Sequence, residues 1–356
     1  MGKKATLYLL YHLSVIATVA LLVVAILCRR AALVDPQLGV IWLFWSLSMP
    51  VVLFVNFCVL VFWLFRRKWW VAVIPLAAIL LNGSYLSTMF QLPKGNSLPT
   101  TNGLKVATLN TYGFRAQGSV CMTAQETLAM LQREQVDVVC FQEFLDSKGC
   151  PLDRLIAYFT HYMPYYHHEQ AMAVFSRYPI VEYEYRNVKN SNNSCLRTDI
   201  EVQGTVIRLV SVHLQTSGVS MARRKHLKDY GSEMPAAEML DVLQTNVKIR
   251  TKQVADIRAM INRKSMPVIV AGDFNDVPSS YIYHVMRAGL TDGFQACGSG
   301  FGATYRHFVG MLRIDYLFYN DSFQGLRYYM PADDLSDHRC IVAELQLLRK
   351  PRSQKL

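Results

Sequence analysis

The sequence predicts an α/β domain carried behind a helical anchor. Three observations lead there. The first 90 residues hold three long uncharged apolar stretches. The remainder repeats short β-branched strands, with a helical pattern between the first two. Nearly every strand then ends abruptly in Asp, Asn, Glu or His.

The anchor comes first. Lys3-Lys4 precede an apolar stretch over 5–28, Arg29-Arg30 follow it, a second stretch covers 39–65, and after Arg66-Arg67-Lys68 a third covers 69–90. Each exceeds the roughly 20 residues that cross about 30 Å of hydrocarbon. A cleaved signal peptide would account only for the first. The sequence therefore predicts a multi-pass integral protein of the cytoplasmic (inner) membrane. All five tryptophans, Trp42, Trp45, Trp63, Trp69 and Trp70, fall here, the last three flanking the second basic turn as an interfacial belt would. With the N-terminus in the cytosol, Lys3, Lys4, Arg66, Arg67 and Lys68 lie inside against Arg29 and Arg30 outside, so three spans place the following domain on the extracytoplasmic, periplasmic side. Pro50 is tolerable in a membrane helix, and Asn56 and Asn82 are expected to bond a neighbouring helix. The spans contain no charged residue, which argues against a transporter or channel.

Residues 91–103, QLPKGNSLPTTNG, read as a short polar linker. The first strand, 104–109, runs into Asn110-Thr111-Tyr112-Gly113. Thr123 and Glu126 form a capping-box pattern opening a helix to about Gln135, and a second strand, 136–141, delivers Gln142-Glu143. A strand over 171–176 turns at Arg177-Tyr178-Pro179, with Arg177 a structural or rim residue. The strand 205–212 follows the turn at Gln203-Gly204 and stops at His213. Residues 214–247 are longer than a core connection and carry Arg223-Arg224-Lys225-His226; they are expected to form a lid or membrane-facing lip, or else a mobile loop, before a helix over 246–262. The strand from Val268 ends in Gly272-Asp273-Phe274-Asn275-Asp276. Arg313-Ile314-Asp315-Tyr316 starts another strand, to about Tyr319, and Ser336-Asp337-His338 precede the last apolar run, 340–345.

Carboxylates and amides at the exits of buried strands need a compensating partner such as a metal or a phosphate. A hard divalent ion takes oxygen ligands, few from protein, so one carboxylate and one or two weaker oxygens suffice. Glu143 is the best candidate ligand, with Asn110 beside it and Asp337 reaching the ion directly or through water. Asp273 and Asn275, two apart on an extended chain, point to one side. Each position has a plainer alternative: Asn110 as a turn cap, Glu143 as a surface carboxylate, His213 as a core histidine, Asp315 as an ion-pair partner of Arg313.

In this order, Asn110, Gln142-Glu143, His213, Gly272-Asp273-Phe274-Asn275, Arg313-Ile314-Asp315-Tyr316 and Ser336-Asp337-His338 resemble the endonuclease/exonuclease/phosphatase superfamily, the DNase I-like fold, in a membrane-anchored, bacterial-type form. The resemblance covers about 104–345. It implies a four-layer α/β/β/α sandwich of two packed mixed sheets, with an active site at one edge of the sheets. It also implies hydrolysis of a phosphodiester or phosphomonoester with Mg²⁺ or Mn²⁺. By resemblance Asp273 is the general base, positioned with Asn275 to activate water; Asp315 fixes the charge and tautomer of His338, which faces the phosphate; and His213 is a second contact to that phosphate.

Charge narrows the partners. Seven of the 37 Lys and Arg lie in the anchor with a single acid, Asp35, leaving 30 basic against 25 acidic residues in the rest, four of the basic ones in the tail 349–356. Such a domain has no extended basic face for gripping many nucleic-acid phosphates, so a lipid headgroup or small phosphorylated metabolite is favoured over a nuclease substrate, with the bilayer as second partner. The GDFND segment also lacks the Asn-Tyr-Arg continuation typical of inositol 5-phosphatases. A noncatalytic scaffold would be expected to lose a catalytic position, and none is lost. Eight cysteines include Cys140 inside a core strand; an extracytoplasmic domain permits a disulfide among Cys121, Cys150, Cys195, Cys297 and Cys340 without needing one.

Overall fold

The structure, a computed structural model, describes residues 2–93, 103–116, 118–187, 193–261, 266–307 and 310–348. Most of the predicted linker, 94–102, and the whole basic tail, 349–356, lie outside the described residues. The chain divides into two compact units: Met1–Thr88 with Val277–His284, and Met89–Asp276 with Val285–Leu356.

In the first unit, α1 (Lys3–Ala31), α2 (Ile41–Phe65) and α3 (Trp69–Leu81) pack on one another, and α4 (Gly83–Met89) follows. Two helices, Lys4–Ala31 and Ile41–Phe65, are long and apolar enough to cross a membrane. The third apolar stretch is not one straight span: α3 and α4 are bent by 57° at Asn82. Asn82 and Asn56 do not reach a neighbouring helix with their amide nitrogens, which donate to the carbonyls of Ala78 and Val52 one turn back at 2.9 and 2.8 Å. Nor is Trp63 part of an interfacial belt. It is buried, donating from Nε1 to Thr18 Oγ1 at 2.9 Å and packing with Val71 and Ala72, while Trp69 and Trp70 are exposed.

The second unit opens with β1 (Phe90–Gln91), which pairs with β11 (Gly300–Phe301). Then come β2 (Leu104–Asn110), α5 (Val120–Arg133), β3 (Val138–Gln142), α6 (Leu152–Thr160), β4 (Tyr165–Glu169), β5 (Met172–Ser176), β6 (Ile180–Asn187), β7 (Ser194–Val202) and β8 (Thr205–His213). After α7 (Val219–Tyr230) and α8 (Ala236–Ile261) the chain forms β9 (Val268–Asp273), α9 (Tyr281–Arg287), whose first residues count with the first unit, β10 (Thr291–Asp292), α10 (Gly293–Cys297), β12 (Asp315–Tyr319), β13 (Phe323–Tyr329) and β14 (Ile341–Leu347). The strands make two six-stranded mixed sheets, ordered β13-β14-β2-β3-β5-β4 and β10-β12-β9-β8-β7-β6. Each has one parallel pair at its centre, β2/β3 and β8/β9, within otherwise antiparallel neighbours.

The strand runs are apolar on both faces because both faces are covered. One core lies between the sheets, where Val106, Val138, Cys140 and Val174 meet Leu196, Leu209, Ile269 and Leu317. A second lies under α5 and α6 and holds Phe114, Phe141, Phe144, Phe159 and Phe175. On the far side α8 buries Val254, Ile257 and Met260, giving the four-layer order helix, sheet, sheet, helix.

Three local expectations change. The helix α5 starts before Thr123: Ser119 is its N-cap, its oxygen accepting from Met122 N–H at 3.2 Å, and Thr123 lies inside, bonded to Ser119 O. The segment after His213 is not a loop but forms α7 and the first turns of α8, which begins at Ala236 rather than near 246. Cys121 and Cys150 form a disulfide that ties α5 to the segment before α6.

Candidate active site

Strand register brings the polar exits together. Across the parallel pair β8/β9, His213 stands opposite Asp273, and across the antiparallel pair β9/β12, Asp273 stands opposite Asp315. Three functional side chains thus occupy adjacent strands, about 4.8 Å apart. In the other sheet Asn110 is level with Gln142 at the ends of β2 and β3, with Glu143 next. Gly272 makes the approach of β8 and β9 possible: its φ is +144°, and a Cβ there would collide with the carbonyl oxygen of Val212.

The chain is held in unusual conformations just past these strands. Tyr112, Glu143 and Asn275 have φ of 51°, 53° and 50°. For a residue such as Glu143 the left-handed region costs about 1 kcal/mol or more and persists only where its surroundings fix it. They do so here: the Glu143 carbonyl accepts from Thr111 Oγ1 at 2.7 Å and Gly113 N at 3.2 Å.

Asn110, Glu143, His213, Asp273 and His338 meet in one hollow. Asn110 Nδ2 lies 3.2 Å from Glu143 Oε1 and 3.1 Å from Asp273 Oδ2. His213 Nε2 is 3.8 Å from Glu143 Oε1 and 3.7 Å from Asp273 Oδ2, and His338 Nε2 is 3.9 Å from that same Asp273 oxygen. Asn275 orients Asp273, donating from its backbone N to Oδ1 at 2.8 Å and from Nδ2 to Oδ2 at 3.2 Å. Asp315 grips His338 Nδ1 with both oxygens, at 3.0 and 2.9 Å. Arg313, the other candidate partner for Asp315, is paired with Asp292 at 2.8 and 2.6 Å. Asp337 sits at the rim, bonded to Ser336 Oγ at 3.3 Å and 4.0 Å from His307 Nε2.

The electrostatics follow from burial and crowding. Burial works against a charged His338, but the negative charges of Asp315 and Asp273 and the hydrogen bond to Asp315 outweigh it and push the imidazole up to about 10. Burial, and then the charge of Asp315, raise Asp273, against the opposing pull of His338 and His213. Burial also raises Asp337. His213 is buried, and among the described residues neither ring nitrogen has a hydrogen-bond partner.

Several contributors were not singled out from the sequence. Ser336 Oγ donates to Asn110 O at 2.6 Å and accepts from His338 N at 3.1 Å, locking the last motif onto the first. Thr304 Oγ1 accepts from the backbone N of Ile314 and of Asp315, both at 3.1 Å, and Tyr305 places its ring 4.9 Å from His338. The segment around Thr304 and Tyr305 has no strand pattern of its own and pairs only as isolated bridges to Leu312 and His338, so no periodicity marks it. Ser336 alone carried a signal, as the first residue of the Ser-Asp-His motif.

A divalent ion fits one part of this hollow better than another. Asp273, Asp315 and His338 bring ligand atoms within 4.8 Å of one another, but the imidazole and Asp315 already satisfy each other, and a cationic ring repels a second cation. On the other side, oxygens of Glu143 and Asp273 converge on the Asn110 amide, and turning the amide over substitutes its oxygen for its nitrogen. In the present orientation Asn110 Oδ1 accepts from Tyr112 N at 3.1 Å, the turn-cap role, and turning the amide over toward an ion would give up that bond.

A family model described as the Endonuclease/Exonuclease/phosphatase family matches residues 107–338. The chain belongs to that family. Members of the endonuclease/exonuclease/phosphatase family are generally divalent-metal-dependent hydrolases of phosphoester bonds. Solved structures agree on the fold. An endonuclease/exonuclease/phosphatase from Beutenbergia cavernae is 22% identical over 70% of this chain and 73% of that one, with a TM-score of 0.52. Proteins of the family from Bacteroides thetaiotaomicron and Bacteroides vulgatus are 17% and 16% identical, covering 70% and 69% of this chain and 99% and 100% of theirs, with TM-scores of 0.51 and 0.50. Residues 8–89 match a second model, described as a domain of unknown function (DUF8431). No curated protein matches the chain.

Proposed function

We propose that this protein is a membrane-anchored, divalent-metal-dependent phosphoesterase that hydrolyses a lipid headgroup or a small phosphorylated metabolite by water attack. The observation that carries this reading is the hollow itself: Asn110, Glu143, His213 and Asp273, from four strand exits, and His338, from the segment entering β14, lie within 4 Å of one another in a chain. Among the described residues both nitrogens of buried His213 lack a partner, and a phosphate oxygen would supply one.

Glu143 and Asn110 would hold Mg²⁺ or Mn²⁺, with Asp337 at the rim. When bound, the ion neutralises charge building on a non-bridging phosphate oxygen and on the leaving oxygen. Asp273 takes the proton of the attacking water: Asn275 fixes its orientation, and its raised pKa makes it a stronger base than an ordinary carboxylate. His338 stays an imidazolium at neutral pH because Asp315 faces its Nδ1, and so presents Nε2–H to the phosphate, with His213 beside it.

The apolar helices α1 to α4 anchor the chain, and the lysine and arginine bias supports a catalytic domain outside the cytoplasmic membrane. The Cys121–Cys150 bond supports the same side, because disulfides persist in oxidising compartments. Full-length protein should be assayed with Mg²⁺ against bis-p-nitrophenyl phosphate, sphingomyelin, phosphoinositide, nucleotide and plasmid DNA. Glu143→Ala, Asp273→Ala and His338→Ala should each lower the accepted activity by about 10²-fold or more, with circular dichroism unchanged. Equal, slow turnover by wild type and all three variants on every substrate would favour a scaffold, and turnover of DNA alone a nuclease.

A further inference from the structure

The helix α7 is exposed in a way its composition does not require. None of its twelve residues is buried, although it carries Met221, Leu227 and Tyr230, which are 74%, 51% and 73% exposed. At 100° per residue its half-covered side is Val219, Ala222 and His226, the side that meets α8. The opposite side presents Arg224, Lys225 and Lys228 together with Met221 and Leu227. Arg223 and His226 are paired, with Glu233 at 2.7 Å and Glu238 at 3.2 Å. Arg224, Lys225 and Lys228 have no ion-pair partner among the described residues.

The stem of this helix is firmly fixed. It starts five residues beyond Leu214, whose carbonyl accepts from Asn275 Nδ2 at 2.9 Å. Gln215 bonds Gln253 and Asn246 at 2.8 Å each, and Asn246 Nδ2 donates to Ser217 O at 2.9 Å. Buried Arg250 donates to Gln215 O at 2.9 Å and to Asp276 at 2.6 Å. The stem of an exposed, cationic and apolar helix face is thus fixed on the segment leaving His213.

We propose that this outward face of α7 docks on the anionic headgroups of a lipid bilayer. Cations attract the phosphates while Met221 and Leu227 enter the headgroup boundary, the division of labour in an interfacial helix. The apolar helices of the same chain keep bilayer surface at an effective concentration on the order of millimolar, so weak contacts suffice. The docking stands on the helix; its consequence, that the phosphoester is met at the membrane surface, rests on the proposed function.

The test is amide hydrogen exchange on full-length protein in nanodiscs of phosphatidylcholine alone or mixed with phosphatidylglycerol. A short helix without buried residues opens readily, so docking registers as protection. Residues 219–230 should exchange several-fold more slowly in the anionic discs, with α8 unchanged. Arg224→Glu, Lys225→Glu and Lys228→Glu together should abolish the difference, and the Gln versions should reduce it. Equal exchange in both discs, or protection that survives the Glu variant, overturns the proposal. So does protection by duplex DNA in neutral discs where phosphatidylglycerol gives none. Hydrolysis of bis-p-nitrophenyl phosphate in the same discs separates the two readings. Wild-type hydrolysis by the Glu variant with lost protection supports docking, whereas protection in a protein that hydrolyses nothing supports docking and overturns the phosphoesterase.

Discussion

His338 and Asp273 share one cavity, and each holds its proton there more tightly than the free side chain does. For His338 the folded value of about 10 lies above the ordinary 6.5, so the fold favours the protonated ring. That contribution is complete below pH 6.5 and is lost as pH rises through about 10. If the imidazolium faces the phosphate, kcat/KM should fall on the alkaline side through the same range, and Asp315→Asn should move that limb to lower pH. For Asp273 the folded value is raised above 3.8, so activity should be lost on the acid side at a higher pH than an ordinary carboxylate would give. A pH profile of wild type and Asp315→Asn, at saturating metal, checks both limbs; an alkaline limb that Asp315→Asn leaves in place would separate His338 from the reaction.

At the scale of elements, two joints hold the hollow in register. Where β9 passes β8, Gly272 leaves no room for a side chain against Val212 O. Gly272→Ala must push the strands apart or twist β9, and should lower unfolding free energy by about 3 kcal/mol or more, with Asp273 displaced from His213. Thermal unfolding and turnover should therefore fall together. The second joint is the Cys121–Cys150 bond, which closes a loop across 29 positions and on chain-entropy grounds stabilises by about 3–4 kcal/mol. Because α5 and α6 cover the outer face of β3, its removal by Cys121→Ser with Cys150→Ser should lower the melting temperature while leaving kcat nearly unchanged. The strands that carry the motifs were legible from their β-branched runs, whereas β4, β6, β7 and β13, whose residues are largely polar or aromatic, were not. The extent of α8 was not, because polar residues at its N-terminal end read as a loop.

On the whole-molecule scale, topology and catalysis are separable. The arginine and lysine bias proposed to orient the anchor lies outside the family domain, so reversing it should alter which side the domain faces without altering the hollow. Protease added to intact spheroplasts should remove the domain from wild-type protein, and protection of the domain instead would place it in the cytosol. The charge of the second unit is close to balanced once the anchor's seven basic residues are set aside, so turnover of a soluble phosphoester should depend only weakly on ionic strength.

The sequence by itself determined the strands that carry the motifs, the family and the apolar helices, because each is written locally: periodicity, β-branching, and a run of motifs in fixed order; it did not reveal β4, β6, β7 or β13. It could not determine how far the third apolar stretch bends at Asn82, that Ser119 rather than Thr123 starts α5, or that Cys121 finds Cys150. Those outcomes depend on neighbours distant in the chain. The same holds for Thr304 and Ser336, whose hydroxyls bridge motifs up to 226 residues apart. Only packing two sheets face to face brings the Asn110 amide against Asp273, 163 residues away, and it is that packing, with the water it excludes, that sets the charges of His338 and Asp273.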